Sequence, residues 1–107
     1  MITQKPKILV VDNEKGVHDS MRVLLKDNYD VHFALSGEEA IQIVKKHSID
    51  LVLLDILLPK ISGIEILKII KQIDDSVEVI MVTAVITVDK AVEAIRHGAY
   101  DYITKPF

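Results

Sequence analysis

Short apolar runs and helix-period stripes alternate along the whole chain. Lys7-Ile8-Leu9-Val10-Val11 reads as a buried strand closed by Asp12-Asn13-Glu14. Beyond it Val17, Met21, Leu24 and Leu25 fall at i, i+4, i+7 and i+8, which predicts a helix that faces the core through these residues and stops near Asn28. Asp30 to Leu35 is a second strand, with Val31, Phe33 and Leu35 on one side and His32 opposite. Ser36-Gly37-Glu38-Glu39 has the capping-box pattern, in which hydroxyl and carboxylate satisfy each other's orphan backbone donors. It opens a helix to about His47, with Ala40, Ile41 and Val44 inward. Leu51-Val52-Leu53-Leu54, set between Asp50 and Asp55, is the continuous branched run of a strand buried on both faces. Ser62-Gly63-Ile64-Glu65 repeats the capping-box pattern ahead of a stripe of Ile66, Ile69, Ile70 and Ile73. Val77 to Val82 is a fourth strand that delivers Thr83 and Ala84. Thr87 is the expected N-cap of a helix with Val88, Ala91, Val92 and Ile95 inward and Gly98 at its end. Ala99 to Ile103 is a short fifth strand, followed by Thr104-Lys105-Pro106-Phe107.

Strands that alternate with helices imply right-handed crossovers and a parallel sheet with helices on both faces. The expected class is α/β, with five strands and four helices in one domain over residues 1–107. Half the residues are hydrophobic but only 5% are aromatic, so the core is aliphatic. A net charge of -3 with no long basic run argues against nucleic-acid or membrane-surface binding by this segment. The absence of cysteine excludes a disulfide framework and a thiolate metal site. The polar start, Met1 to Lys7, and the lack of any span-length apolar segment lead us to expect a soluble, cytoplasmic protein.

In a parallel sheet, chemistry collects outside the carboxyl ends of the strands. Standing there are Asp12, Asn13 and Glu14, then Asp55, Thr83 and, just past the fifth strand, Lys105. Carboxylates set together repel unless a cation lies between them, and hard oxygen donors without cysteine favour Mg²⁺ or Mn²⁺ over zinc. A hydroxyl and an ammonium nearby supply donors to an oxyanion such as phosphate. Carboxylates act as nucleophiles toward phosphoryl groups, so the set reads as an aspartyl-phosphate site. Each residue alone has a plainer reading: Asp55 as a turn cap, Asn13 as the N-cap of the first helix, Thr83 as a satisfied strand-end hydroxyl, Tyr102 as a half-buried aromatic and Lys105 as a solvated cation. His18, His32, His47 and His97 lack metal-ligand spacing and are expected to be solvated or satisfied.

Four runs together resemble the receiver domain of two-component response regulators over essentially the whole chain. They are Ile8 to Glu14, Asp55-Ile56-Leu57-Leu58-Pro59 with Gly63, Val82-Thr83-Ala84, and Gly98 to Phe107. The resemblance implies a flavodoxin-like, doubly wound five-stranded parallel sheet of order 2-1-3-4-5. It implies Mg²⁺-dependent phosphorylation of Asp55 by a histidine kinase or phosphotransfer protein, in a self-phosphorylating switch rather than a turnover enzyme. By position, Asp12, Asn13, Asp55 and the main-chain carbonyl of Leu57 would hold the metal. Thr83 and Lys105 would bind the phosphoryl group, and Thr83 with Tyr102 would form the switch. The Lys105-Pro106 peptide is expected to be cis, and the signal to leave through the fourth helix and fifth strand.

Two departures matter. The family commonly has a second acid where this chain has Asn13, and a lost unit charge corresponds to roughly 4 kcal/mol of Coulomb attraction at about 4 Å and an effective dielectric near ~20, much of it cancelled by hydration. Weaker Mg²⁺ binding is therefore expected, with Glu14 a candidate to compensate. The family also has a fifth helix, whereas this sequence stops at Phe107. A domain cut before that helix would expose apolar sheet surface beside the first helix, which favours self-association, as in a homodimer, or lowers stability, and an output domain beyond Phe107 or a partner protein is expected to receive the signal. Leu57 and Val85 offer no polar group to orient water, so slow self-dephosphorylation is expected. The rival readings are a pseudo-receiver that is not phosphorylated, motivated by Asn13, and a small phosphatase, disfavoured because Leu57 occupies the place of its general acid.

Overall fold

The computed structural model describes residues 4–85 and 87–105. Its strands are β1 (Lys7–Val11), β2 (Asp30–Ala34), β3 (Leu51–Leu54), β4 (Glu78–Thr83) and β5 (Asp101–Thr104). Its helices are α1 (Lys15–Leu25), α2 (Gly37–Lys46), α3 (Gly63–Ile73) and α4 (Val88–Arg96). All neighbouring strands pair in parallel, in the order β2-β1-β3-β4-β5, as expected. No helix among the described residues is long and apolar enough to cross a membrane.

Alternation along the strands sorts two unequal cores. Leu9, Val11, Ala34, Val52, Leu54, Val79 and Met81 point to one face, where they pack with Ala40 and Val44 of α2, Ile66, Leu67 and Ile70 of α3, and Ala94 of α4. Ile8 and Val10 point to the other face, against Met21 of α1. Among the described residues α1 alone covers that second face, so Leu51 and Leu53 are half-buried and β3 is not sealed on both sides as its run of apolar residues suggested. Val23 and Leu24 on the flank of α1 remain 68% and 66% exposed.

The helix stripes need three corrections. In α1 the inward residues are Val17, His18, Met21 and Leu25, while Leu24 faces outward. In α4 the expected stripe fails: Val88, Val92 and Ile95 are exposed, and Ala91 and Ala94 make the contact. Period analysis favours the larger side chains, but this helix meets β5 and α3 through small ones, and alanine allows the closer approach. Ile73 of α3 and Leu35, just past β2, are likewise at the surface.

The caps differ in detail. Ser36 Oγ accepts from Glu39 N at 3.2 Å, but Glu39 reaches back to Leu35 N at 2.8 Å, one residue before the reciprocal position. Ser62 Oγ accepts from Ile64 N, and Glu65 turns instead to Lys68. Thr87 caps α4 as expected, through Lys90 N. Gly98 ends that helix with φ at 101°, a conformation that suits glycine. Asn13 is not the N-cap of α1; Glu14 holds that place without a side-chain cap bond.

Gly63 fixes α3 against the loop after β3. Its N–H donates to Ile56 O at 2.8 Å, and a Cβ there would overlap the main-chain carbonyl of Asp55. At Gly37 the obstruction is side chain rather than main chain, the Cδ1 and Cγ1 of buried Ile66. Gly63→Ala is thus expected to lower unfolding stability by about 2–3 kcal/mol, and Gly37→Ala by clearly less, because a rotamer yields more cheaply than a backbone. Urea unfolding of both variants checks this; equal midpoints would contradict it.

Candidate functional site

Register builds the site. Val11 pairs with Leu54, so the next residues, Asp12 and Asp55, leave adjacent strands at the same level. The ladder continues through both acids: Asp12 N donates to Ala34 O at 3.1 Å, and Asp55 N to Val11 O at 3.1 Å. Two strands along, Thr83 pairs with Thr104, and Lys105 N donates to Thr83 O at 2.9 Å. Strands stand about 4.8 Å apart, so a lysine past β5 must reach back across two spacings toward β3 and three toward β1 to meet the acids.

It does so. Lys105 Nζ donates to Asp12 Oδ2 at 2.6 Å and to Asp55 Oδ2 at 3.0 Å, and lies 3.5 Å from Glu14 Oε1. Asp12 and Asp55 are each only 3% exposed. Their second oxygens are held by the loops that follow, since Asp12 Oδ1 accepts from Glu14 N at 2.9 Å and Asp55 Oδ1 from Leu57 N at 3.1 Å. Burial alone would depress the Lys105 pKa, but the hydrogen bonds and charges of Asp12 and Asp55 outweigh it and hold the ammonium well above the ordinary lysine range. Because the folded value is the raised one, this stabilisation is fully present at neutral pH and is lost only as pH climbs through the folded value.

The other expected residues take separate places. Thr83 is fully buried, and its hydroxyl accepts from Val85 N at 3.3 Å. Tyr102 is half-buried against the larger core, and its hydroxyl donates to Val85 O at 2.5 Å. Burial first, and then the charge of Asp55, raise its pKa. Thr83 and Tyr102 thus both bind the main chain of Val85, in the segment between β4 and α4. Leu57 is exposed, as is Asn13. The Lys105-Pro106 peptide lies outside the described residues.

His18 plays a part that its sequence position did not reveal. Its Nε2 lies 2.7 Å from Asp12 O; a carbonyl only accepts, so Nε2 carries the proton and pins the end of β1 to α1. Phe33 stacks on it at 5.1 Å, with the Arg22 guanidinium 4.5 Å from the Phe33 ring. The only sequence signal was its place beside Val17 on the inward stripe.

Oxygens of Asp12, Glu14 and Asp55 lie within 4.8 Å of one another. Three carboxylates against one ammonium leave two negative charges at the mouth, and the donors are all hard oxygens. This set fits a divalent cation of the Mg²⁺ type.

A parallel α/β sheet with buried carboxylates, a lysine and a hydroxyl on its carboxyl edge defines a class of phosphate-handling switch domains. Residues 8–107 match the response regulator receiver domain, and the chain belongs to that family. It is 41% identical over 102 residues to sporulation initiation phosphotransferase F of Bacillus subtilis, covering 94% of this chain and 82% of that protein. It is 38% identical over 102 residues to the transcriptional regulatory protein DltR of Streptococcus agalactiae, covering 94% of this chain and 46% of DltR. The chain thus spans about half the length of DltR and of the mycobacterial response regulator MprA. The CheY-like receiver domain protein of Methanospirillum hungatei superposes with a TM-score of 0.94 at 30% identity, covering 97% of this chain and 84% of that one.

Two outcomes test this electrostatic picture. Lys105→Met should cost about 2–3 kcal/mol in urea unfolding at neutral pH, less than a sealed ion pair because the cluster opens to solvent at one side. Adding Asp55→Asn should restore part of the loss, and no restoration would contradict the pairing. In alkaline spectrophotometric titration, Asp55→Asn should bring the Tyr102 phenol only part of the way back to its usual value, since burial is the larger cause.

Proposed function

We propose that this chain is the phosphoacceptor unit of a response regulator, a single receiver domain over residues 1–107 that works in the cytoplasm. A histidine kinase or phosphotransfer protein is the donor. An Asp55 carboxylate oxygen attacks the phosphorus of a phosphohistidine; the new O–P bond forms as the N–P bond breaks, and the departing imidazole takes up a proton. The observation that carries this reading is the Lys105 ammonium bridging Asp12 and Asp55, a buried arrangement with one carboxylate oxygen of each acid free of the loop bonds.

Each residue then has a defined task. Lys105 pairs with the incoming phosphoryl oxygens and offsets the charge that they add. Asp12, Asp55 and the Leu57 carbonyl would hold Mg²⁺, with Asn13 or Glu14 beside them. When bound there, the cation would supply charge that screens the carboxylates and the phosphoryl oxygens. The Thr83 hydroxyl accepts from Val85 N–H and has its own proton to donate to a phosphoryl oxygen; a shift of the hydroxyl toward that oxygen would pull on Val85 N–H, and because Tyr102 donates to the same residue's carbonyl, the pull would reach the β4–α4 segment and the face of α4 and β5. The exposed Val88, Val92, Ile95 and Ile103 make this face apolar enough to receive a partner or a second copy when the chain is phosphorylated. An output domain or a partner protein would read the change. The device is a switch, phosphorylating itself in a half-reaction without turnover on an outside substrate.

Intact mass after incubation with a small-molecule phosphodonor tests the reading. One phosphoryl adduct should appear with Mg²⁺ and be absent from Asp55→Asn; no adduct on folded protein at high Mg²⁺ would favour a non-phosphorylated interaction module. The adduct should also be long-lived, since Leu57 and Val85 present no polar group to an attacking water. Leu57→Asn should shorten its life, and rapid loss from the native protein would contradict the argument.

A further inference from the structure

Position 13 is where receivers commonly carry the second metal-binding acid, and here it is an amide. We infer that Glu14, one residue later, supplies the third carboxylate of the cation site and that Asn13 is dispensable for it. The inference rests on the cation-site reading proposed above and assigns within it a residue that the family's pattern does not use.

Three observations support it. The Glu14 carboxylate already faces the cluster: its Oε1 lies 3.5 Å from the Lys105 ammonium that bridges Asp12 and Asp55, and its oxygen falls within 4.8 Å of theirs. Drawing these oxygens together around one cation would need rotation of the Glu14 side chain, which its exposure permits. The backbone also directs Glu14 here. Asp12 Oδ1 accepts from Glu14 N at 2.9 Å, a turn that spans Asn13 and leaves Glu14 at the extended N-cap of α1, with φ at -100° and ψ at 117°. Glu14 makes no cap bond, and its side chain stays 65% exposed at the mouth of the cluster. Among the described residues, its side chain forms an ion pair with Lys105 alone. Finally, charge decides between the candidates. An amide oxygen brings a dipole to a dication and a carboxylate brings a full charge, and cation affinity rises with the number of charged ligands.

Calorimetric titration with Mg²⁺, and titration with Mn²⁺ followed by electron paramagnetic resonance, read the site without any phosphoryl transfer. At physiological salt, exposed charges outside the site are screened beyond about 8 Å. Glu14→Gln should weaken cation binding by about tenfold or more, whereas Asn13→Ala should change it by less than about threefold. Asn13→Asp placed in the Glu14→Gln background should recover most of the loss, which a merely unfolded or distorted loop would not allow. If Asn13→Ala weakens binding and Glu14→Gln does not, the assignment to Glu14 fails while the site stands. If Asp55→Asn leaves binding unchanged as well, the cation-site reading itself fails.

Discussion

The contact on which the rest depends is the Lys105 ammonium set between the Asp12 and Asp55 carboxylates, at 2.6 and 3.0 Å. It ties the last described residue to the ends of β1 and β3 and so spans the sheet from one side of the site to the other. Two carboxylates this buried would repel strongly without a cation. The fold therefore holds a charged cluster whose balance is incomplete even with the lysine present. A dication would compete with the ammonium for the carboxylate oxygens, and a phosphoryl group would compete with the carboxylates for the ammonium.

Around that contact the architecture acts as a jig. Parallel register sets Asp12 and Asp55 side by side, and the backbone ladder runs through both. Gly63 lets α3 begin against the Asp55 carbonyl, where no side chain would fit. His18 fastens the carbonyl of Asp12 to α1 from the other face. On the far side the Val85 main chain is shared between the Thr83 hydroxyl, through its N–H, and the Tyr102 hydroxyl, through its carbonyl. Chemistry at the sheet edge and the exposed apolar residues of α4 are thus separated by one short segment with two polar ties.

The alternation of elements and the residues at the strand ends were legible in the sequence because each follows from a local period or from the carboxyl edge of a parallel sheet, whereas the strand order came from the resemblance to receiver domains. What was not legible depended on relative size and on geometry between elements. Period analysis of α4 chose Val88, Val92 and Ile95, yet the packing surface is alanine, since the helix approaches its neighbours closely and turns its larger residues outward. Leu24 followed the stripe of α1 but lies on its flank, and His18 took an inward place that hydropathy assigns to water. Asn13 had the chemistry of an N-cap, but the turn made by Asp12 across it moved that position to Glu14. In each case a hydrogen bond or a helix approach, invisible to spacing, decided between residues that the sequence left equivalent.

The central claim is that the nucleophile is Asp55 rather than another acid of the cluster. An acyl phosphate is reduced by borohydride to the alcohol, so treatment of the phosphodonor-loaded chain followed by peptide mapping marks the acceptor covalently. The account predicts homoserine in place of aspartate at position 55 alone. Reduction at Asp12 or Glu14, or at no acid in the cluster, would contradict it.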